Sequence, residues 1–249
     1  MKKPSSLAEA MIRPRRSARS NEAPEQFFST PHGDVALYFR GPSDAQKRVL
    51  LLHGWEDDHS FLDPVAKELV KLGLRCLALD LPAHGASSGD TIMIPEAAEV
   101  LLDLDRSFGP FHLCVGHSIG AATIAVALTR GLRTQKVALL TPPTNYARHI
   151  ASAALAAGAP AILVERAMRE LRRRCPTIDM IEGVALAKQM SVPALIVVAG
   201  RDAVVDPEES RRLVAAWEKS ELLFSPESTH ASPLREGPIL RAVSAYADF

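Results

Sequence analysis

Three residues far apart in the chain have the types that acyl-transfer chemistry needs. Ser118 lies in Gly116-His117-Ser118-Ile119-Gly120, Asp202 in Ala199-Gly200-Arg201-Asp202, and His230 in Thr229-His230-Ala231. A serine hydroxyl is a poor nucleophile until a neighbouring base takes its proton. A histidine doing so needs a carboxylate to fix its tautomer and to stabilise the imidazolium that forms. Ser118 is the candidate nucleophile, His230 the candidate base and Asp202 its orienting acid. Taken alone, Gly-x-Ser-x-Gly also describes a glycine-tolerant turn with a surface serine, so the elements around it must decide.

Residues 111–115 are a continuous apolar run and residues 121–128 are small and helix-prone, so Ser118 sits on a strand, sharp turn, helix. The apolar runs 48–52, 75–79, 136–140 and 194–199 read as further strands covered on both faces. Residues 26–29 and 35–40, split by Pro31-His32-Gly33-Asp34, read as an antiparallel hairpin, and 221–224 as a last short strand. Helical spacing of apolar residues follows Asp63-Pro64, runs over 95–108 and recurs after Asp206-Pro207 and in a terminal helix ending at Phe249. Strands alternating with helices predict an α/β fold, a mostly parallel, doubly wound sheet of about eight strands. Ser118, Asp202 and His230 all follow strands, at the carboxyl edge where such sheets carry their sites.

Composition narrows the function. Lys+Arg and Asp+Glu number 29 each, which argues against nucleic acid or an anionic membrane as partner. No apolar run approaches the roughly 18 residues needed to span a bilayer. The 3 cysteines suggest neither a disulfide framework nor a metal site, and a reducing, cytoplasmic setting fits them. With no glycine-rich phosphate loop and no Cys/His ligand set, no cofactor and no metal is expected. Residues 1–25, basic and interrupted by Pro4, Pro14 and Pro24, read as a mobile basic tail. Residues 141–193, alanine-rich and then arginine-rich, read as two or three helices over the sheet edge, the arginines forming a solvated face.

Over residues 26–249 the chain resembles the α/β-hydrolase fold family. His53-Gly54-Trp55 matches that family's oxyanion turn, and Asp80-Leu81-Pro82-Ala83-His84-Gly85-Ala86-Ser87 its Asp-x-x-Gly-His-Gly-x-Ser turn, with Ala83 in place of a glycine. Residues 116–120 match its nucleophile elbow and Gly200-Arg201-Asp202 its acid turn, in the order Ser, Asp, His that characterises it. The resemblance implies an oxyanion hole formed by the backbone N–H groups of Trp55 and Ile119. It also implies a small helical cap at 141–193 and a substrate that is a small-molecule carboxylic ester or thioester, cleaved through an acyl-enzyme. A catalytically silent member binding a ligand or a protein, or a hydrolase of amides or C–C bonds, is the alternative. Oligomeric state is left open.

Other polar residues receive quieter readings. His117 points away from Ser118 and packs or hydrogen-bonds, and His53 and His84 are structural. His59, His112 and His149 have no partner visible in sequence, and Glu56-Asp57-Asp58 reads as a solvated loop, the alternative being that it faces the site and disfavours anionic substrates. Asp206, directly before Pro207, is suited to capping the following helix.

Overall fold

A computed structural model describes residues 4–16 and 20–248. Its strands are β1 (Gln26–Thr30), β2 (Gly33–Arg40), β3 (Arg48–Leu52), β4 (Arg75–Leu79), β5 (Phe111–His117), β6 (Thr134–Leu140), β7 (Ala194–Ala199) and β8 (Ser220–Ser225). The order across the sheet is β1-β2-β4-β3-β5-β6-β7-β8. β1 pairs antiparallel with β2 and β2 with β4, and every later pairing is parallel.

The apolar runs of the central strands feed two cores, because successive side chains of a strand point to opposite faces. Val49 and Leu51 of β3, with Leu113 and Val115 of β5, enter one core; Leu50, Leu52 and Cys114 enter the other. Helices cover both: α2 (Asp63–Lys71) and α9 (Gly237–Asp248) pack on the first face, α3 (Ile94–Phe108), α4 (Ile119–Thr129) and α8 (Pro207–Ala216) on the second. The expected doubly wound, mostly parallel sheet of eight strands is therefore present. Phe249, the expected end of the last helix, lies outside the described residues.

Between β6 and β7 the chain forms α5 (Tyr146–Ala156), α6 (Ala161–Arg174) and the short α7 (Gly183–Ala187). Arg166, Arg169, Arg172, Arg173 and Arg174 are exposed, with Arg172 paired to Asp179 at 2.7 Å and Arg174 to Glu96 at 3.0 Å. At the N-terminus the structure departs from the expected tail. Residues 7–11 form α1, and Ala8 and Ile12 are each only 1% exposed where α1 meets α6. The basic residues Lys2, Lys3 and Arg19 of the expected tail lie outside the described residues.

One buried carboxylate ties the turns at the carboxyl edge together. Asp80, 1% exposed, accepts from the backbone N–H of His59 (2.8 Å) and of Ala86 (2.8 Å), from His59 Nδ1 (2.9 Å) and from the Tyr38 hydroxyl (3.0 Å). His59, which had no visible partner in sequence, thus has a carboxylate beneath it. Nearby, Ala83 has φ +67°, a left-handed conformation in which a Cβ is strained. That is the position where a glycine is replaced.

Burial alone would raise the Asp80 carboxyl, but hydrogen bonds from His59 and Ala86 outweigh it and hold the pKa at about 2. A carboxylate with a depressed folded pKa stabilises the fold above its ordinary 3.8 and loses that contribution as pH falls toward about 2. The contribution is roughly 2 kcal/mol. Asp80→Asn should therefore lower stability at pH 7 by a few kcal/mol and flatten the acid limb of stability against pH, as chemical denaturation at pH 7, 4 and 3 would measure. An unchanged acid limb would remove Asp80 from this role.

Candidate active site

Ser118 is placed by a backbone conformation that side chains resist. It has φ +51° and ψ −120° between the end of β5 and the first residue of α4, a strain of about 1–3 kcal/mol that persists only where the surroundings enforce it. The flanking glycines allow that enforcement. A Cβ on Gly120 would lie 2.5 Å from the His53 carbonyl oxygen, and one on Gly116 would lie 2.6 Å from the Ala121 nitrogen. Any side chain at either position would push the elbow apart. The Ser118 N–H donates to the Leu140 carbonyl at 2.9 Å, fixing the turn to β6 as well.

His230 reaches Ser118 from the loop after β8. Its Nε2 lies 2.9 Å from Ser118 Oγ and its Nδ1 2.7 Å from Asp202 Oδ2. With Asp202 ionised, the consistent tautomer carries the proton on Nδ1 and leaves Nε2 to accept from the serine hydroxyl. The Asp202 side chain is 2% exposed, and its other oxygen accepts from the N–H groups of Val204 (2.8 Å) and Val205 (2.9 Å). Burial would raise this carboxyl; the bond from His230 and those two N–H groups outweigh it and hold the pKa below the ordinary range. The three residues singled out in sequence are thus brought into one hydrogen-bonded chain. Asp206 instead caps α8, accepting from the Glu208 N–H at 2.9 Å.

The His230 loop is held by His117, expected to pack or hydrogen-bond, and by residues that sequence did not assign, among them Thr141 and Glu236. His117 donates from Nε2 to the His230 carbonyl (2.9 Å), which also accepts from Thr141 Oγ1 (3.3 Å). Burial, then the nearby His230, pushes the His117 pKa down to about 3, so it is a neutral donor. On the loop's other side Glu236 accepts from Ser228 (2.6 Å) and Ser225 (3.1 Å), and from Ser232 (2.5 Å), whose Oγ in turn accepts from the Thr229 N–H (2.9 Å). A carboxylate four residues after Ser232, at the end of the stretch holding Ser225, Ser228 and Ser232, is the one signal that could have found it.

The turn after β3 is set by His53. Its Nδ1 donates to the Gly54 carbonyl (2.7 Å) and its Nε2 accepts from the Leu81 N–H (2.9 Å), which binds this turn to the one after β4. Burial lowers its pKa and keeps it in that neutral form. Among the described residues, neither the Trp55 N–H nor the Ile119 N–H finds a protein acceptor. Both residues line the same cavity as Ser118.

That cavity, about 780 Å³, is of the size usual for small-molecule sites. It holds Ser118, His230, Trp55, Ile119, Tyr146 and His149, with Ile150, Ala153 and Ala154 of α5 along one side. His149 has its pKa lowered, first by burial and then by His230. Of the two readings of residues 56–58, the one in which the loop faces the site fits the structure, where it forms part of the rim. Glu56 and Asp57 line the cavity, and Asp58, 2% exposed, accepts from the Ser60 N–H at 3.1 Å. Among the described residues, no group of three or more His, Cys, Asp or Glu could hold a metal ion, and no helix is long and apolar enough to cross a membrane.

Comparison with known proteins agrees with this architecture. The alpha/beta hydrolase family matches residues 49–245. A serine hydrolase-like protein of Dictyostelium discoideum is 29% identical over 99 residues, 37% of this chain and 27% of that protein, so the match spans about a quarter of the relative's length. Among solved structures the chain is similar to an esterase from Exiguobacterium antarcticum, with TM-score 0.71, 15% identity, and 92% of this chain and 100% of that one covered. It is also similar to the thioesterase domain from the curacin biosynthetic pathway, with TM-score 0.64, 19% identity, and 91% and 98% covered.

The two neighbouring aspartates are separable by measurement. Asp206→Ala should cost about 1 kcal/mol of stability through the lost cap and leave the rate of fluorophosphonate labelling at Ser118 near that of the wild type. Asp202→Ala should slow labelling by orders of magnitude, beside whatever stability the lost buried carboxylate costs. Thermal unfolding and labelling kinetics on both variants decide, and an exchange of the two patterns would reassign the acid.

Proposed function

The chain belongs to the α/β-hydrolase family, and from that premise we propose that it is a serine hydrolase acting on a carboxylic ester or thioester of a small molecule. The observation that carries the reading is the continuous hydrogen-bonded line Asp202–His230–Ser118, at 2.7 Å and 2.9 Å, opening into a cavity. Ser118 Oγ attacks the carbonyl carbon while its proton passes to His230 Nε2. Asp202 holds the ring and offsets the imidazolium charge. The oxyanion of the tetrahedral intermediate accepts from the N–H groups of Trp55 and Ile119, donors already without protein partners. Collapse expels the alcohol or thiol, which takes the proton back from His230, and leaves Ser118 acylated. Water, activated in turn by His230, releases the acid.

Each step uses only groups of this chain, the substrate and water, so the chemistry calls for no cofactor. The esterase and the thioesterase domain named above perform reactions of the proposed class, which supports the reading without choosing between oxygen and sulfur leaving groups. The buried, free Cys76, Cys114 and Cys175 suit a reducing compartment, and a cytoplasmic location is part of the proposal.

A fluorophosphonate should label wild-type protein at Ser118, found by mass spectrometry of the modified peptide, and should fail on Ser118→Ala. His230→Ala should lower ester turnover by about 10⁴ or more. An unlabelled, folded wild type would point instead to a silent member that binds a ligand.

A further inference from the structure

The cavity beside Ser118 is closed on one side by residues that precede the family match at 49–245. α1 has only five residues, too few to be stable alone, so its tertiary contacts make it. Two adjacent faces of it do different things. Ala8 and Ile12, one turn apart, are sealed against the body, and the Ile12 carbonyl accepts from the Ile92 N–H at 3.0 Å. Leu7, Ala10 and Met11, which share the neighbouring face at i, i+3 and i+4, line the cavity together with Ile150, Ala153 and Ala154 of α5.

Polar anchors fix the segment, most of them on residues that do not face the cavity. Arg13 pairs with Glu9 and with Asp90 (3.2 Å). Arg16 donates to the carbonyls of Gly85 (2.7 Å), Ser87 (2.6 Å), Gly89 (2.7 Å) and His84 (3.2 Å), the turn that Asp80 organises. Arg15 pairs with Glu56 at 3.0 Å, directly beside Trp55. Glu56 has φ +59°, so the arm is joined to a strained residue of the turn that carries a candidate oxyanion donor.

We propose that this N-terminal arm is the specificity wall of the site: Leu7, Ala10 and Met11, facing α5, form a slot for an uncharged, apolar chain of the substrate, with the ester carbonyl at Ser118. This rests on the hydrolase reading. The chain is uncharged because Leu7, Ala10, Met11, Ile150, Ala153 and Ala154, which would surround it, are all apolar, the guanidinium of Arg15 is paired with Glu56, and an unpaired charge is expensive to bury. It is apolar because each methylene moved from water into such a slot gains about fourfold in affinity. The chain belongs either to the acyl group or to the alcohol, and the two arms of the test distinguish them.

The full chain is assayed with p-nitrophenyl esters of straight acids from 2 to 12 carbons, and separately with acetates of straight alcohols over the same range. In one series kcat/KM should climb with length to a limit. Met11→Trp, filling the slot, should lower the ratio of long-chain to short-chain kcat/KM at least tenfold in that series. Met11→Ala should move the limit to longer chains. Binding of 2-alkanones of 4 to 12 carbons by calorimetry gives a readout that needs no turnover, and its length dependence should be lost in Met11→Trp. If esters are cleaved and the selectivity ratio is the same in wild type and both variants, the slot is overturned and the hydrolase reading stands. If no ester is cleaved yet alkanone affinity rises with length and Met11→Trp erases the rise, the slot stands and the hydrolase reading falls.

Discussion

Backbone meets backbone where β3 ends and α4 begins, and the site depends on that contact. Gly120 lies so close to the carbonyls of Leu52 and His53 that a Cβ there would sit 2.6 Å and 2.5 Å from their oxygens. This closeness is what sets the turn carrying Trp55 beside the first turn of α4, which carries Ile119. Trp55 and Ile119 thereby line the same cavity as Ser118. The same contact leaves no room for the elbow to relax, so Ser118 keeps its positive φ. The strain is stored locally, and the cooperative sheet around it, with β5 buried along its length, keeps it there.

Parallel strands end at a common edge, and the loops that leave it cannot bury much apolar surface of their own. Polar ties hold them instead. Asp80 fixes the turns after β3 and β4, His53 joins those two turns, and Glu236 with three serine hydroxyls holds the loop after β8. His117 then links that loop to the elbow through the His230 carbonyl. Polar networks of this kind define a geometry, and they are costly when a member is removed. His230 is thus held from both sides of its own loop, which accounts for its alignment with Ser118 across 112 residues of chain.

Much of this was legible in the sequence, for a local reason. β3, β4 and β7 end where their apolar runs do, and β3 and β4 open on a single arginine, because the rest of a strand covered on both faces has no polar position to blur its limits. The elbow was legible because its glycines answer a steric demand within five residues. Asp202 could be told from Asp206 because Pro207 gives the latter a capping task. The residues that escaped notice depend on distant partners. His59 is an unremarkable histidine until Asp80 lies under it, and Glu56 reads as a solvated charge until Arg15 crosses from the N-terminus. α1 escaped for the same reason: five residues between prolines and arginines carry too little periodicity to announce a helix, and only the surface they land on gives them one.

That contrast separates the site into two kinds of parts. Ser118 sits between a strand end and a helix start, where the sheet fixes the backbone and local sequence must satisfy strict sterics, and Asp202 and His230 sit in the loops after β7 and β8. The cavity walls are drawn from α5, in the segment between β6 and β7, and from α1, before the sheet begins. Neither contributes a strand, so their lining residues can change without disturbing the register that aligns Ser118, His230 and Asp202. Arg15 and Arg16 make the arm's attachment polar and directional, where apolar packing alone would let a five-residue helix slide. A helix so short is kept in one register by the carbonyls its arginines grip, and that register sets which side chains face the site.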